Sequence, residues 1–303
     1  MIMRAQLELV MEDLRSGLKL AKSNVASFFL ATLGMMLVVV VIVALAFLPA
    51  VVLAGLVSPP FWSLAGTNAM EWIMTDPGLI TAGGLAVAVP IITLLLTALG
   101  SVFGMGKEAV ESGSTHAESA FSWFKNRFLS LAGAAFIIAV VVFVPQALVW
   151  AAVALVIGVP IEGVTSAALT IFSYVWTFFT GGLLLMVFPG IVNGKGVQEA
   201  IVDSVRLARE QFDRVFGLWT ALVVAWMISI MPGMIIGRIV VTTHSIATLA
   251  VWGIVGLWTV LAVAVWFFLL YPAAIISVVR VYNAVTGKEV AAGHQQVPEI
   301  PIV

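Results

Sequence analysis

The chain contains no cysteine, which excludes disulfides, thiolate metal sites and a cysteine nucleophile and leaves the redox compartment open. Charge is scarce as well: Asp, Glu, Lys and Arg make up only 10% of the 303 residues, and the formal net charge is −1. A nucleic-acid partner would require a basic face with surplus positive charge, so none is expected. Nor is there room for a separate soluble catalytic domain. No stretch outside the apolar segments exceeds about 25 residues, too few to bury a core of its own. What fills the chain instead is apolar: 62% hydrophobic residues and a mean hydropathy of +1.16, far above an average soluble domain. Its solvent is mostly lipid.

Runs without a single Asp, Glu, Lys or Arg occupy 28–57, 79–105, 128–161, 163–192, 215–237 and 239–279. A bilayer core requires about 20 helical residues, so each run predicts one transmembrane helix. Thirteen of the fourteen Lys and Arg residues then fall on one side. Arg4, Arg15, Lys19 and Lys22 precede span 1; Lys107, Lys125 and Arg127 lie between spans 2 and 3; Lys195, Arg206, Arg209 and Arg214 lie between spans 4 and 5; Arg280 and Lys288 follow span 6. Only Arg238 is opposite. The positive-inside rule predicts a multi-pass protein of the cell (cytoplasmic) membrane with both termini cytoplasmic. The N-terminal segment carries Glu8, Glu12 and Asp13 and no early apolar core, so it does not read as a cleavable signal peptide. On the other side, the loop 57–78 holds Phe61, Trp62, Trp72, Ile73 and Met74, a composition suited to an interfacial anchor.

A polar-faced helix is expected before each odd-numbered span. Leu7, Met11, Leu14, Leu18, Ala21 and Val25 recur at spacings of three and four, as do Val197, Ile201, Val205, Ala208, Phe212 and Val215, with a shorter series at Ala117, Phe121, Phe124 and Phe128. Within them LAKSNV, WFKNRF and LAREQF superpose, placing Lys22, Lys125 and Arg209 at one position, and the spans that follow reach Pro49, Pro145 and Pro232 after similar distances. Gly106-Lys107 and Gly194-Lys195 recur between the units, where glycine can close a helix and lysine complement its dipole. Gly287-Lys288 is a later-falling version. The predicted architecture is all-α: a single membrane domain of six spans in three tandem repeats of amphipathic helix plus helical hairpin. Their bounds are 5–106, 107–194 and 195–290, with a flexible tail over 291–303. Two spans per unit give every copy the same orientation, which implies threefold pseudosymmetry about the membrane normal. Ala46, Ala50 and Ala54, Gly100 and Gly104, and Gly233 and Gly237 have the spacing of close helix contacts.

The stretch MVFPGIVNGKGVQEAIVDSVRLAREQFDRVFGLW, Met186 to Trp219, carries Pro189, Gly194, Glu199, Ala200, Ser204, Arg206 and Arg209. It resembles the integral-membrane domain family associated with some glycerophosphoryl diester phosphodiesterases and its stand-alone bacterial and archaeal relatives of unknown function. The ending YPAAIISVVRVYNAVTGKE, with Arg280 and Tyr282, looks like that family's final helix. The resemblance implies a fold and hardly a chemistry, because in fused members the phosphodiesterase activity belongs to a soluble domain.

Candidate chemistry is sparse. His116, His244 and His294 lack metal-ligand spacing, no GxSxG marks a serine nucleophile, and no paired Asp residues sit at span depth. No catalytic residue, metal or cofactor is expected, and the chain does not read as an enzyme. Gln146 and the set Thr170, Ser173, Tyr174 and Thr177 are expected to bond helix backbone or a neighbouring helix. Twelve acids share the basic side, leaving +1 there, and Glu210 with Arg214 and Arg209 with Asp213 have the spacing of helix-face ion pairs. The leading expectation is a non-enzymatic membrane scaffold or accessory subunit whose cytoplasmic helices contact lipid or a partner protein. Its candidate contacts are Lys22, Lys107, Lys125, Arg127, Lys195, Arg206, Arg209 and Arg214. The alternative is a transport permease: QEAIVDSVRLAREQF has a passing likeness to the coupling loop of ABC importers. A third possibility, a protein that handles lipid at the interface, predicts an apolar groove opening sideways to the bilayer.

Overall fold

The computed structural model describes residues 2–57, 77–159, 161–240 and 246–287, and among them every regular element is helical. The helices are α1 (Ile2–Ser23), α2 (Val25–Val57), α3 (Pro77–Ser112), α4 (Ala117–Ile157), α5 (Gly163–Leu184), α6 (Val187–Val192), α7 (Val197–Glu210), α8 (Phe212–Val240), α9 (Ile246–Val265) and α10 (Tyr271–Val285). A π-helical turn, Trp266–Leu270, joins the last two. Among the described residues, six segments are long and apolar enough to cross a membrane: Val25–Ala46, Thr81–Ser112, Ala117–Ile157, Gly163–Val192, Phe212–Ser229 and Gly253–Val285. They coincide in number and order with the six uncharged runs. The predicted interfacial loop with Phe61, Trp62, Trp72, Ile73 and Met74 lies outside the described residues, as do His244, His294 and Lys288.

All-helical structure follows from the solvent: a backbone N–H or C=O in hydrocarbon must be paired inside its own segment. Hydroxyls obey the same rule. Thr93 Oγ1 donates to the Val89 carbonyl at 2.7 Å and Thr97 Oγ1 to the Thr93 carbonyl at 2.6 Å. The π turn has a local cause. Pro272 has no N–H, and its ring would crowd the carbonyl four residues back; the Tyr271 N–H reaches five residues back to the Trp266 carbonyl.

The chain divides into two compact units. One comprises Met1–Leu30, Val102–Ala120 and Arg206–Val303; the other comprises Ala31–Ser101 and Phe121–Val205. In the first, α1 packs on α10 and α8. Gly17 makes the approach to α10 possible, since a Cβ there would lie 2.9 Å from the Ala273 carbonyl oxygen and also meet Ser277 Oγ. Gly106 serves the same unit. It was expected to close a helix, but α3 runs through it to Ser112 and ends at Gly113 (φ +81°). A Cβ at Gly106 would lie 2.7 Å from Ile275 Cγ2, so its role is close packing. In the second unit Gly100 has the expected close approach, with Phe188 ring carbons 2.7 Å from where its Cβ would be. Gly194 does close its helix. It has φ +96°, its N–H donates to the Ile191 carbonyl, and the Lys195 N–H donates to the Gly190 carbonyl, the paired bonds of a Schellman motif. Gly287 (φ +69°) follows the end of α10 in the same left-handed conformation.

Replacing Gly17 with Leu is expected to cost about 1–3 kcal/mol, the usual range for overpacking. Gly83→Leu, where a Cβ meets nothing within 4 Å, is expected to leave stability intact or raise it. Thermal unfolding of the two variants in one mild detergent measures the difference.

Candidate functional site

The three polar-faced helices break at one register position. Asn24 separates α1 from α2, Gln211 separates α7 from α8, and inside α4 Arg127 has non-helical dihedrals of φ −123°, ψ 16°. Each stands two residues after Lys22, Arg209 or Lys125. A helix C-terminus concentrates partial negative charge, and a cation in the last turn stabilises it by about 0.3–1 kcal/mol. Lys22 and Arg209 occupy that turn in α1 and α7. All three cations are exposed, and none forms an ion pair among the described residues.

The large members of the apolar series stay mostly outside the packed faces, while Ala21, Ala208 and Val215 of the same series are fully buried. On α1, Met11 and Leu18 are exposed (58% and 39%), while Val10, Asp13, Gly17 and Ala21 are buried. On α7 the buried residues are Ala200, Asp203, Ser204, Leu207 and Ala208, while Val197, Ile201 and Val205 are only half-buried and Phe212, just after it, is 52% exposed. At the start of α4 Ala120 is fully buried and Phe121 is 40% exposed. Five residues before the register cation stand Gly17, Ala120 and Ser204, all buried. Six after it stand Phe28, Leu131 and Val215, and nine after it Ala31, Ala134 and Leu218, all six at 0% exposure. Small side chains let helices approach closely where lipid competes for the large ones. Periodicity marked the apolar series and left Gly17, Ala120 and Ser204 beside it unmarked.

Several candidate cations are occupied in bracing the helices. Lys195 Nζ is paired with Asp203 and lies 4.0 Å from Glu199. Lys107 pairs with Glu111 at 3.8 Å, at the same spacing from its own Gly-Lys pair. Arg214 donates from Nε and Nη2 to Asp13 Oδ2 at 3.2 and 2.8 Å, joining α8 to α1. It was expected to pair with Glu210, but the break at Gln211 puts those two residues on different helices. Arg280 Nε lies 3.9 Å from Asp13 Oδ1, without a hydrogen bond. Arg206 is exposed and Arg127 half-buried. The eight candidates are therefore not one surface: Lys22, Lys125, Arg206 and Arg209 are exposed, Lys107 pairs within its own helix, Lys195 pairs with α7, and Arg214 joins α8 to α1.

Two buried polar side chains secure the turns: Asn24, unmarked in the sequence, and Ser204, marked there only as part of the 186–219 pattern. Asn24 Nδ2 donates to the carbonyls of Leu20 (3.0 Å) and Gly113 (3.2 Å), and its Oδ1 accepts the Thr115 N–H at 2.9 Å. Ser204 Oγ donates to the Leu183 carbonyl at 2.7 Å and accepts the Met186 N–H at 3.1 Å. Those are backbone groups at the interruption between α5 and α6. Much of the Pro189–Ser204 pattern is thus accounted for by local architecture: Pro189 and Ala200 are buried, Gly194 closes α6, and Ser204 pins α7 to the preceding break. Among the polar span residues, Gln146 Nε2 donates to the Val142 carbonyl and, at 3.1 Å, to Thr177 Oγ1, and Thr170 Oγ1 donates to the Ser166 carbonyl. These bond to backbone and to a neighbouring helix, as expected; Tyr174 is exposed.

Asp13→Ala leaves two half-buried guanidinium groups without their carboxylate and is expected to cost about 3 kcal/mol. Ser204→Ala strands one donor and one acceptor, with an expected cost of about 1–3 kcal/mol. Arg209→Gln, on an exposed side chain, is expected to stay within about 0.5 kcal/mol of the parent. Equilibrium unfolding in detergent gives all three values.

In comparisons with known proteins, no family model matches the chain, and neither a curated protein nor a solved structure does.

Proposed function

We propose that the chain is a non-enzymatic membrane scaffold or accessory subunit, built from three tandem copies of a polar-faced helix followed by a helical hairpin. Its exposed cations serve as contacts to lipid headgroups or to a partner protein. The observation that carries this reading is the shared register: a break two residues after Lys22, Lys125 and Arg209, with Gly17, Ala120 and Ser204 buried five residues before them. A repeated unit that keeps both its packing seam and an outward charge presents the same contact three times.

The large apolar residues beside each seam support an interfacial setting. Met11, Leu18, Phe121 and Phe212 remain exposed on helices that also carry charge, the composition of a helix lying in the headgroup boundary. The one-sided charge supports a cytoplasmic position for these helices and for both termini at the cell membrane. The likeness of 186–219 and of the final helix to the membrane domains associated with glycerophosphoryl diester phosphodiesterases supports the same non-catalytic assignment.

The test is purification in mild detergent followed by mass spectrometry of what remains bound, for the parent and for a Lys22→Gln, Lys125→Gln, Arg209→Gln triple variant. Each basic residue near a headgroup surface is worth about 1 kcal/mol, so the triple variant is expected to retain at least about tenfold less anionic lipid or partner. A parent that runs as a lone, lipid-free monomer contradicts the proposal. Identical retention by the variant does too.

A further inference from the structure

The first unit carries a groove of about 760 Å³ bordered by α1, α8, the π turn and the start of α10. Its walls are apolar, with Leu14 and Leu18 from α1, Leu222 and Ala225 from α8, and Trp266 and Leu270 from the π turn. The size falls within the about 300–1,000 Å³ typical of ligand pockets. The π turn contributes directly: its first and last residues, Trp266 and Leu270, belong to the wall, and π turns within helices recur at functional sites. α1 supplies the stripe of large apolar residues that its packing seam leaves uncovered.

The groove is charged only along α1, by Glu8, Glu12 and Arg15. At spacings of four and three these share one helix face, with Cβ atoms of neighbouring pairs about 5–6 Å apart. They are exposed and form no ion pair among the described residues. Their charges are therefore not used to hold the fold, unlike those of Asp13 and Arg214.

We propose that this groove holds one membrane phospholipid with a zwitterionic headgroup ending in a primary ammonium. The acyl chain lies along Leu222, Ala225, Trp266 and Leu270. Arg15 takes the phosphate, and Glu8 and Glu12 take the ammonium, which donates hydrogen bonds to carboxylates where a quaternary amine cannot. Two acids to one base select against an anionic headgroup, which would bring its negative charge beside both carboxylates. This site is separate from the register cations and does not depend on the scaffold reading.

The experiment uses the full chain carrying Lys22→Gln, Lys125→Gln and Arg209→Gln, which removes the contacts proposed above without touching the groove, reconstituted in bilayers of equal parts phosphatidylethanolamine, phosphatidylcholine and phosphatidylglycerol, extracted in mild detergent and weighed by native mass spectrometry. One phosphatidylethanolamine per chain is expected, preferred over each of the others by about fivefold or more. Ala225→Trp, which fills the groove, is expected to lower that retention at least about fivefold, and Ala168→Trp on exposed α5 to leave it unchanged. Glu8→Gln with Glu12→Gln, on exposed side chains, is expected to keep a bound lipid and lose the preference for the primary ammonium, which tests the proposal even if Ala225→Trp does not fold. Equal retention of all three lipids, a preference for phosphatidylglycerol, or no effect of Ala225→Trp overturns it. So does a dimer that Ala225→Trp dissociates, which would make a second copy the occupant.

Discussion

A backbone N–H or C=O that loses its helical partner where protein covers it finds no water to replace it, and several described turning points of this chain are organised around that shortage. At three of the described turns a particular side chain or glycine supplies the missing bonds. Asn24 serves the ends of three segments at once, through Leu20, Gly113 and Thr115. Ser204 bridges the interruption between α5 and α6, and Gly194 closes α6 by adopting a left-handed conformation. At Pro272 the backbone solves the problem itself by widening into a π turn. With little charge available, the fold concentrates its polar resources at these junctions.

The same economy explains which charges face outward. Asp203 with Lys195, which ties α7 to the turn before it, and Asp13 with Arg214, which joins α1 to α8, are partly or fully buried. Removing one member of such a pair is expensive because the other cannot recover its hydration. Lys22, Lys125 and Arg209 have a local electrostatic reason for their positions, since each precedes a helix break whose carbonyls favour a cation. Their side chains nevertheless remain on the surface. One position thus serves both the fold and the proposed contact, which is why charge count alone could not separate Lys195 from Arg209.

The six spans were legible in the sequence because lipid imposes a length and an absence of charge that few other environments require. The breaks were legible only in part. LAKSNV, WFKNRF and LAREQF marked the right place, but nothing in those strings distinguishes a helix end from a helix interior; that emerges from the backbone at Asn24, Arg127 and Gln211. The packing faces were not legible in the sequence. A period of three to four in large apolar residues identifies a buried stripe in water, whereas here large residues such as Met11 and Phe121 stay exposed and Gly17, Ala120 and Ser204 are buried. Gly106 was misread for a related reason: glycine marks helix ends and close helix contacts alike, and only its nearness to Ile275 tells which applies.

The central claim is that the three register cations stand on one side of the membrane, with the turn before α5 on the other. The absence of native cysteine makes a direct measurement possible: single cysteines at Lys22, Lys125, Arg209 and Glu162, treated with a membrane-impermeant thiol reagent on sealed cells and on inverted vesicles. Labelling of the first three only in inverted vesicles, and of the Glu162→Cys variant only in sealed cells, is the predicted result. Labelling of any one of the three from the outside would contradict the account.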